Sequence, residues 1–191
     1  MELINKELSV SDRFKLKTRG DERDLRVKSI HRFMDGSIDI KGYTLKRFLD
    51  IVLGVSAFFV FCISFPFFAI AIKLSSKGPV LFKQPRTGQG GEPFFCYKFR
   101  TMHLVDLKRE DGKPVVTQKG DKRIFAFGHI LRKTNLDELP QIINVIKGEM
   151  SLVGPRPYPV EECKHWNNTF DDFYYRYMVK PGITGYAQVT G

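Results

Sequence analysis

The sequence has few cysteines and lacks several motifs that define common nucleotide-dependent or metal-dependent enzymes. Its three cysteines, Cys62, Cys96 and Cys163, are too few and too scattered for a disulfide framework or a zinc site. They indicate free thiols in a reducing compartment. The sequence contains no Walker A loop, no H-E-x-x-H motif and no nucleophile elbow. The absence of Asp-x-Asp argues against a conventional metal-dependent nucleotide-sugar glycosyltransferase.

Acidic residues are in the minority. The chain has 31 Lys and Arg against 21 Asp and Glu, a formal net charge of +10. Such a charge favours anionic partners, namely nucleic acid, phospholipid headgroups or phosphorylated substrates. Residues 1–42 are charged and lack the apolar core of a signal peptide, so we expect an uncleaved cytosolic N-terminal extension there.

The dominant feature is the uncharged run Ile51–Ile72. As a helix it would be about 33 Å long, enough to cross a bilayer. Basic residues flank both of its ends, which favours a cytosolic position for both. Pro66 predicts a kink, and the Ser64 hydroxyl can bond a carbonyl freed there. These residues leave two alternatives open, a spanning helix and a re-entrant one.

The remainder resembles a compact domain with a strand and amphipathic helices. Period-two alternation over 95–101 predicts a strand with Lys98 and Arg100 on one face. The two cations would be about 7 Å apart, the span of a diphosphate, although an ordinary solvated strand face explains them equally well. Helical spacing of apolar residues predicts helices near 124–131 and 139–146.

Four side chains are candidates for chemistry on phosphates. Asp137 and Glu138 begin the second predicted helix, where the helix dipole should keep an aspartate ionised. An ionised carboxylate can attack phosphorus or bind Mg²⁺, while helix capping is its commonplace role. Arg156 lies between two prolines, which would pre-organise its guanidinium for a phosphate. Arg132 is either a phosphate ligand or a partner of the helix dipole.

Five blocks occur in order along the chain: KRFLDIVLG, GPVLFKQPRTG, YKFRTM, LRKTNLDELPQIINVIKGEMSLVGPRP and KPGITGYAQVTG. Together they resemble the bacterial sugar transferase family, the monotopic polyprenyl-phosphate phosphoglycosyl transferases, in their small single-domain form. The resemblance covers 43–191 and implies an α+β, helix-rich fold. Its parts would be a re-entrant membrane helix and a compact cytosolic-face domain with amphipathic interfacial helices and a short β element. The membrane helix would cover about 46–73 and break at Ser64 and Pro66. The catalytic part would cover 74–191 without the family's usual C-terminal tail.

The resemblance also implies a reaction. Asp137 would attack the β-phosphate of a UDP-sugar and release UMP, and polyprenyl (undecaprenyl) phosphate would then accept the phosphosugar. Glu138 would bind Mg²⁺ together with Asp137. The substrate phosphates would lie against Lys98, Arg100, Arg132 and Arg156, with Glu161 as a further site residue. The expected location is the cytosolic face of the bacterial inner membrane, as a monotopic protein and a candidate homodimer in polysaccharide or glycoconjugate synthesis, with no nucleic acid as partner.

Two other classes of protein fit parts of the sequence. One is a membrane-anchored basic module that binds anionic lipid or RNA without catalysis. The other is a single-pass membrane scaffold, which would place residues 1–45 outside the cell.

Overall fold

The computed structural model describes residues 40–104, 120–170 and 173–190. Most of the predicted N-terminal extension lies outside the described residues. The described part is helix-rich with a few short strands and one long apolar helix, which confirms that part of the predicted fold class. The helices are α1 (Ile40–Ser75), α2 (Ala126–Lys133), α3 (Ile142–Lys147), α4 (Val160–Thr169) and α5 (Tyr186–Val189); the strands are β1 (Leu81–Thr87), β2 (Pro93–Phe99), β3 (Ser151–Val153) and β4 (Gly182–Thr184); short 3-10 helices cover Gln89–Gly91, Leu136–Gln141 and Phe173–Met178.

Helix α1 contains the predicted membrane segment. It has 36 residues and continues past Pro66, whose ring nitrogen cannot donate to the Cys62 carbonyl. The Ser64 hydroxyl donates to the Phe61 carbonyl at 3.1 Å, rather than to the Cys62 carbonyl that Pro66 leaves without its amide donor. Among the described residues α1 is the one helix that is long and apolar enough to cross a membrane, by length and composition.

Both ends of α1 are bonded to the compact domain. Near its N-terminal end, Arg47 donates to the Val145 and Ile146 carbonyls at 2.6 and 3.0 Å. Just beyond its C-terminal end, Arg100 donates to the Ser76 carbonyl at 2.7 Å. The domain therefore contacts α1 near both of its ends.

Aromatic packing joins the middle of α1 to β2. Phe99 is 2% exposed and contacts three phenylalanines of α1. Its ring centroid lies 6.0 Å from those of Phe61 and Phe65 and 5.2 Å from that of Phe68. Because these rings follow helical spacing on α1, one face of the apolar helix belongs to the domain core and the remainder stays exposed.

A buried carboxylate fixes α1 to β3. Asp50 is 5% exposed and accepts hydrogen bonds from the Ser151 hydroxyl at 3.0 Å and from the Leu152 amide at 2.9 Å. The Lys46 ammonium lies 3.7 Å from the same carboxylate, bonds Ser151 Oγ and donates to the Val153 carbonyl at 2.9 Å. Two hydrogen bonds and a nearby ammonium group thus offset the cost of burying this carboxylate.

Two small sheets complete the domain. β1 and β2 form an antiparallel hairpin in the register Leu81↔Phe99, and β3 pairs with β4 in parallel. The predicted strand is thus found, but it ends at Phe99 rather than at residue 101. The second predicted helix is divided into the Leu136–Gln141 3-10 helix and α3, because Pro140 has no N–H for the Leu136 carbonyl.

We predict that Asp50→Ala destabilises the fold by about 2 kcal/mol, because the Leu152 amide and Lys46 would lose their buried acceptor. Thermal unfolding in detergent would measure the loss. Leu53→Ala is the control, since this side chain on the same helix is 54% exposed. Equal effects of the two substitutions would contradict the anchoring role of Asp50.

Candidate active site

Asp137 and Glu138 lie in the Leu136–Gln141 3-10 helix, directly after a sharp change in chain direction. Asn135 adopts a left-handed conformation with φ 57°, and its carbonyl accepts the Glu138 amide at 3.1 Å. Asparagine is one of the few non-glycine residues that tolerate this region. The two carboxylates therefore begin a short 3-10 helix rather than the regular α-helix that the spacing predicts.

Glu138 is held by cations. The Lys98 ammonium lies 2.5 Å from Glu138 Oε1, and Arg156 Nη2 lies 4.0 Å from the same oxygen. Burial, the largest single effect, raises the pKa of Glu138, but Lys98, Arg156 and a hydrogen bond from the Gln141 side chain together lower it below its usual value. Glu138 is therefore a stably ionised carboxylate that fixes the position of Lys98.

The pKa of Asp137 is shifted in the opposite direction, upward. Burial raises the pKa of its carboxyl, and the neighbouring charge of Glu138 raises it further. Lys98 and Arg132 oppose this rise without cancelling it. The helix-dipole argument predicted a carboxylate favoured in its charged form, and desolvation reverses that direction. The two adjacent carboxyls thus differ in basicity, and Asp137 is the more basic.

The two predicted phosphate-binding arginines lie beside these carboxylates. Arg132 influences Asp137 electrostatically, and its Nε donates to the Thr101 hydroxyl at 2.8 Å. Arg156 is half exposed, and its carbonyl accepts a 2.8 Å hydrogen bond from Arg176. The Arg176 guanidinium lies over the rings of Tyr158 and Phe173, 4.2 and 4.4 Å from their centroids, and so steadies the loop that carries Arg156.

Arg100 does not join this group. It is 3% exposed, and its guanidinium donates to the Pro79 carbonyl at 2.5 Å and to both oxygens of Ser76 at 2.7 Å. Because β2 ends at Phe99, the alternation stops before Arg100, and the predicted diphosphate pair with Lys98 does not form. Glu161 is exposed in the first turn of α4 and does not line the cleft described next.

A small cleft, partly open to solvent, lies beside Glu138. It is lined by both charged and neutral side chains, which come from β1, β2, the Leu136–Gln141 3-10 helix, the loop at 156–157, β4 and α5: Arg86, Cys96, Lys98, Glu138, Gln141, Arg156, Pro157, Gly182, Ile183 and Gln188.

Arg86 is a cleft residue that sequence reasoning missed. Its guanidinium donates to the Pro157 carbonyl at 2.8 Å and to Gln84 Oε1 at 2.7 Å. Burial, with a contribution from Arg156, lowers the pKa of Arg86. Its place in the block GPVLFKQPRTG, directly after a proline, was the available signal, but nothing local distinguishes it from a solvated arginine.

The sequence model of the family described as "Bacterial sugar transferase" matches residues 41–191. The chain belongs to the bacterial sugar transferase family. A Caulobacter vibrioides relative named UDP-glucose:undecaprenyl-phosphate glucose-1-phosphate transferase is 46% identical over 147 residues, covering 76% of this chain and 54% of that protein. An Aeromonas hydrophila relative, a UDP-N-acetylgalactosamine-undecaprenyl-phosphate N-acetylgalactosaminephosphotransferase, is 41% identical over 76% of this chain and 34% of its own length.

A third relative is covered more fully. The exopolysaccharide production protein PSS of Rhizobium leguminosarum bv. phaseoli is 43% identical over 150 residues, which are 77% of this chain and 74% of that protein. The bacterial sugar transferase chain thus spans about half of the Caulobacter protein and a third of the Aeromonas protein. The family match over 41–191 includes the Leu136–Gln141 3-10 helix, the residues that line the cleft and all but the first residue of α1.

A magnesium ion at this site would need ligands from the substrate as well as from the protein. Within residues 40–104, 120–170 and 173–190, no group of three or more His, Cys, Asp or Glu side chains could hold a metal. Asp137 and Glu138 supply two adjacent carboxylates. Mg²⁺ commonly takes one or two protein carboxylates and completes its shell with phosphates and water.

We predict that Lys98→Gln destabilises the protein by about 1–2 kcal/mol at neutral pH, because Glu138 loses its half-buried partner. A carboxyl with a lowered folded pKa stabilises the fold above its unfolded pKa, and that stabilisation is lost as pH falls through the folded pKa. The deficit of the variant should therefore shrink as pH falls below the ordinary glutamate value of 4.5. Thermal unfolding at several pH values measures it.

The matched control is Lys122→Gln, which neutralises an exposed lysine. It should show no comparable dependence on pH. A deficit for Lys98→Gln that is the same at neutral and acidic pH would indicate lost packing and contradict the electrostatic account.

Proposed function

We propose that this protein transfers a sugar 1-phosphate from a UDP-sugar to polyprenyl phosphate and releases UMP. The observation that carries the proposal is the pair of unequal carboxylates, Asp137 and Glu138. Glu138 lines a cleft together with Lys98, Arg86 and Arg156. Family membership supports it, since two of the relatives are named as undecaprenyl-phosphate transferases with different UDP-sugars.

In the first step, an Asp137 carboxylate oxygen attacks the β-phosphorus of the donor. The bond between that phosphorus and the bridging oxygen breaks, and UMP leaves with the electron pair. In the second step, a phosphate oxygen of polyprenyl phosphate attacks the same phosphorus and displaces the Asp137 carboxylate. The product is a polyprenyl diphosphate sugar. Asp137 suits the role of nucleophile because its raised pKa makes the ionised form more basic than an ordinary aspartate.

The cations would neutralise the charge that gathers as phosphates approach a carboxylate. Lys98 and Arg132 both act electrostatically on Asp137, so an anion bound there meets positive potential. Arg156 and Arg86 extend this potential across the cleft, and Arg86 Nε is buried without a partner among the described residues. Glu138 would hold Lys98 in place through the 2.5 Å contact.

We also propose Mg²⁺ as the cofactor. Asp137 and Glu138 would hold it together with the donor diphosphate. Once bound, the ion would offset charge on the diphosphate and on the departing UMP.

We propose that α1 is a re-entrant helix at the cytosolic face of the bacterial inner membrane, and that the protein is monotopic. The support is that Arg47 and Ser76, at opposite ends of the helix, bond the same domain. A spanning helix would need its ends on opposite sides of the membrane. A break of the helix at Ser64 and Pro66 stays a prediction.

We predict that Asp137→Asn lowers UMP release from a UDP-sugar and undecaprenyl phosphate roughly a thousandfold or more, because the nucleophile is removed. Glu138→Gln should give a smaller loss, since it releases Lys98 and removes one proposed magnesium ligand but leaves the nucleophile in place. Glu92→Gln, at an exposed position, is the control and should match the unmodified protein. Normal turnover by Asp137→Asn would refute the mechanism. A complete absence of UMP release by the unmodified protein would favour a binding module without catalysis.

For the membrane arrangement we predict that cysteines placed at Gly20 and at His165 react with a membrane-impermeant maleimide only after the cells are broken. His165 is exposed on α4 and reports the domain. The unmodified chain supplies the background labelling of its native cysteines. Labelling at position 20 in intact cells would show a spanning helix and defeat the re-entrant arrangement.

A further inference from the structure

The cleft contains neutral polar atoms that are buried and lack a partner among the described residues. They are the side-chain oxygen of Gln141 and both amide atoms of Gln188. Gln141 is 1% exposed. A buried polar atom without a hydrogen bond costs about 1–3 kcal/mol, and folded proteins contain few of them. Their concentration in one cleft indicates a ligand that completes their hydrogen bonds.

Gln141 has a defined orientation. Its side chain hydrogen-bonds the Glu138 carboxylate, which must be the work of its Nε2 group because an ionised carboxylate only accepts. Oε1 is therefore left as an acceptor within the cleft. It can accept a hydroxyl or an N–H group, but it cannot bind a phosphate oxygen.

Gln188 lies against the loop that carries Arg156. A Cβ atom built on Gly185 would lie 3.0 Å from Gln188 Oε1 and 2.2 Å from the Gly154 carbonyl oxygen. The Gln188 amide therefore packs over the glycine at the start of α5, next to residue 154. Its planar amide presents one donor and one acceptor side by side.

We propose that Gln188 binds the uracil ring of the donor nucleotide. Its Nε2 group would donate to a ring carbonyl, and its Oε1 would accept the ring N–H, in a paired contact. Gln141 Oε1 would accept a ribose hydroxyl of the same nucleotide. The inference rests on the proposed function, to which it adds the site for the part of the donor that does not react.

Chemistry favours uracil over the other parts of the substrates. The phosphates need cations, and Lys98, Arg86 and Arg156 supply them. A polyprenyl tail has no hydrogen-bonding groups for an amide. The imide edge of uracil offers one donor and one acceptor, which match the acceptor and donor of a planar amide. The apolar side chains of Ile183 and Pro157 line the same cleft and suit the faces of a flat ring.

The test compares the binding of UMP and of ribose 5-phosphate to the full chain in detergent, measured by calorimetry. Gln188→Leu should weaken UMP binding about tenfold, the loss expected for two neutral hydrogen bonds. Ribose 5-phosphate has no base, so its affinity should be unchanged. Val189→Ala, at an exposed position of the same helix, is the control and should alter neither affinity.

Three results would overturn the inference. The first is an equal loss for both ligands in Gln188→Leu, which would indicate general damage to the cleft. The second is unchanged UMP affinity with a raised KM for the UDP-sugar, which would assign Gln188 to the sugar. The third is an unmodified chain that does not bind UMP. A failure of the proposed function gives a different result. In that case the unmodified chain would release no UMP from a UDP-sugar, regardless of how Gln188→Leu changes UMP binding.

Discussion

The contact between the Lys98 ammonium and Glu138 Oε1, at 2.5 Å, joins β2 to the 3-10 helix that carries both carboxylates. Without a cation beside it, Glu138 would be a second desolvated carboxyl next to Asp137, and the two would compete for one proton. With Lys98 in place, the pKa of Glu138 falls while burial keeps that of Asp137 raised. A single ion pair thus gives two neighbouring residues different chemistry.

This cleft depends on the long apolar helix as much as on the domain. Phe99, the last residue of β2, packs on three phenylalanines of α1, so the strand that presents Lys98 is supported by the helix. Asp50 and Arg47 attach the same helix to β3 and to the end of α3. The residues proposed to bind phosphate are therefore held at a fixed position relative to the segment that we propose enters the membrane. Such coupling suits a reaction between a water-soluble donor and a lipid acceptor.

The sequence predicted what depends on local pattern. The apolar run, the β2 strand and the helical segment that begins near Asp137 follow from periodicity and composition. Contacts between residues that are far apart in the sequence could not be predicted from local pattern. The period-two pattern predicted that Arg100 and Lys98 share one face of the strand. In the structure Arg100 instead donates hydrogen bonds to Ser76, 24 positions away in the sequence. The raised pKa of Asp137 comes from burial, which a local helix argument does not contain. Gln188 could not be identified from the sequence, because its candidate role depends on the absence of a partner for its amide among the described residues of the folded chain.

The central claim is that Asp137 forms a covalent bond to phosphorus. Mass spectrometry of the full chain, incubated with a UDP-sugar and without polyprenyl phosphate, tests this claim most directly. The account predicts a mass increase equal to a sugar phosphate, located on the peptide that contains Asp137, and its disappearance when polyprenyl phosphate is added. Continued UMP release with no adduct on that peptide would contradict the account.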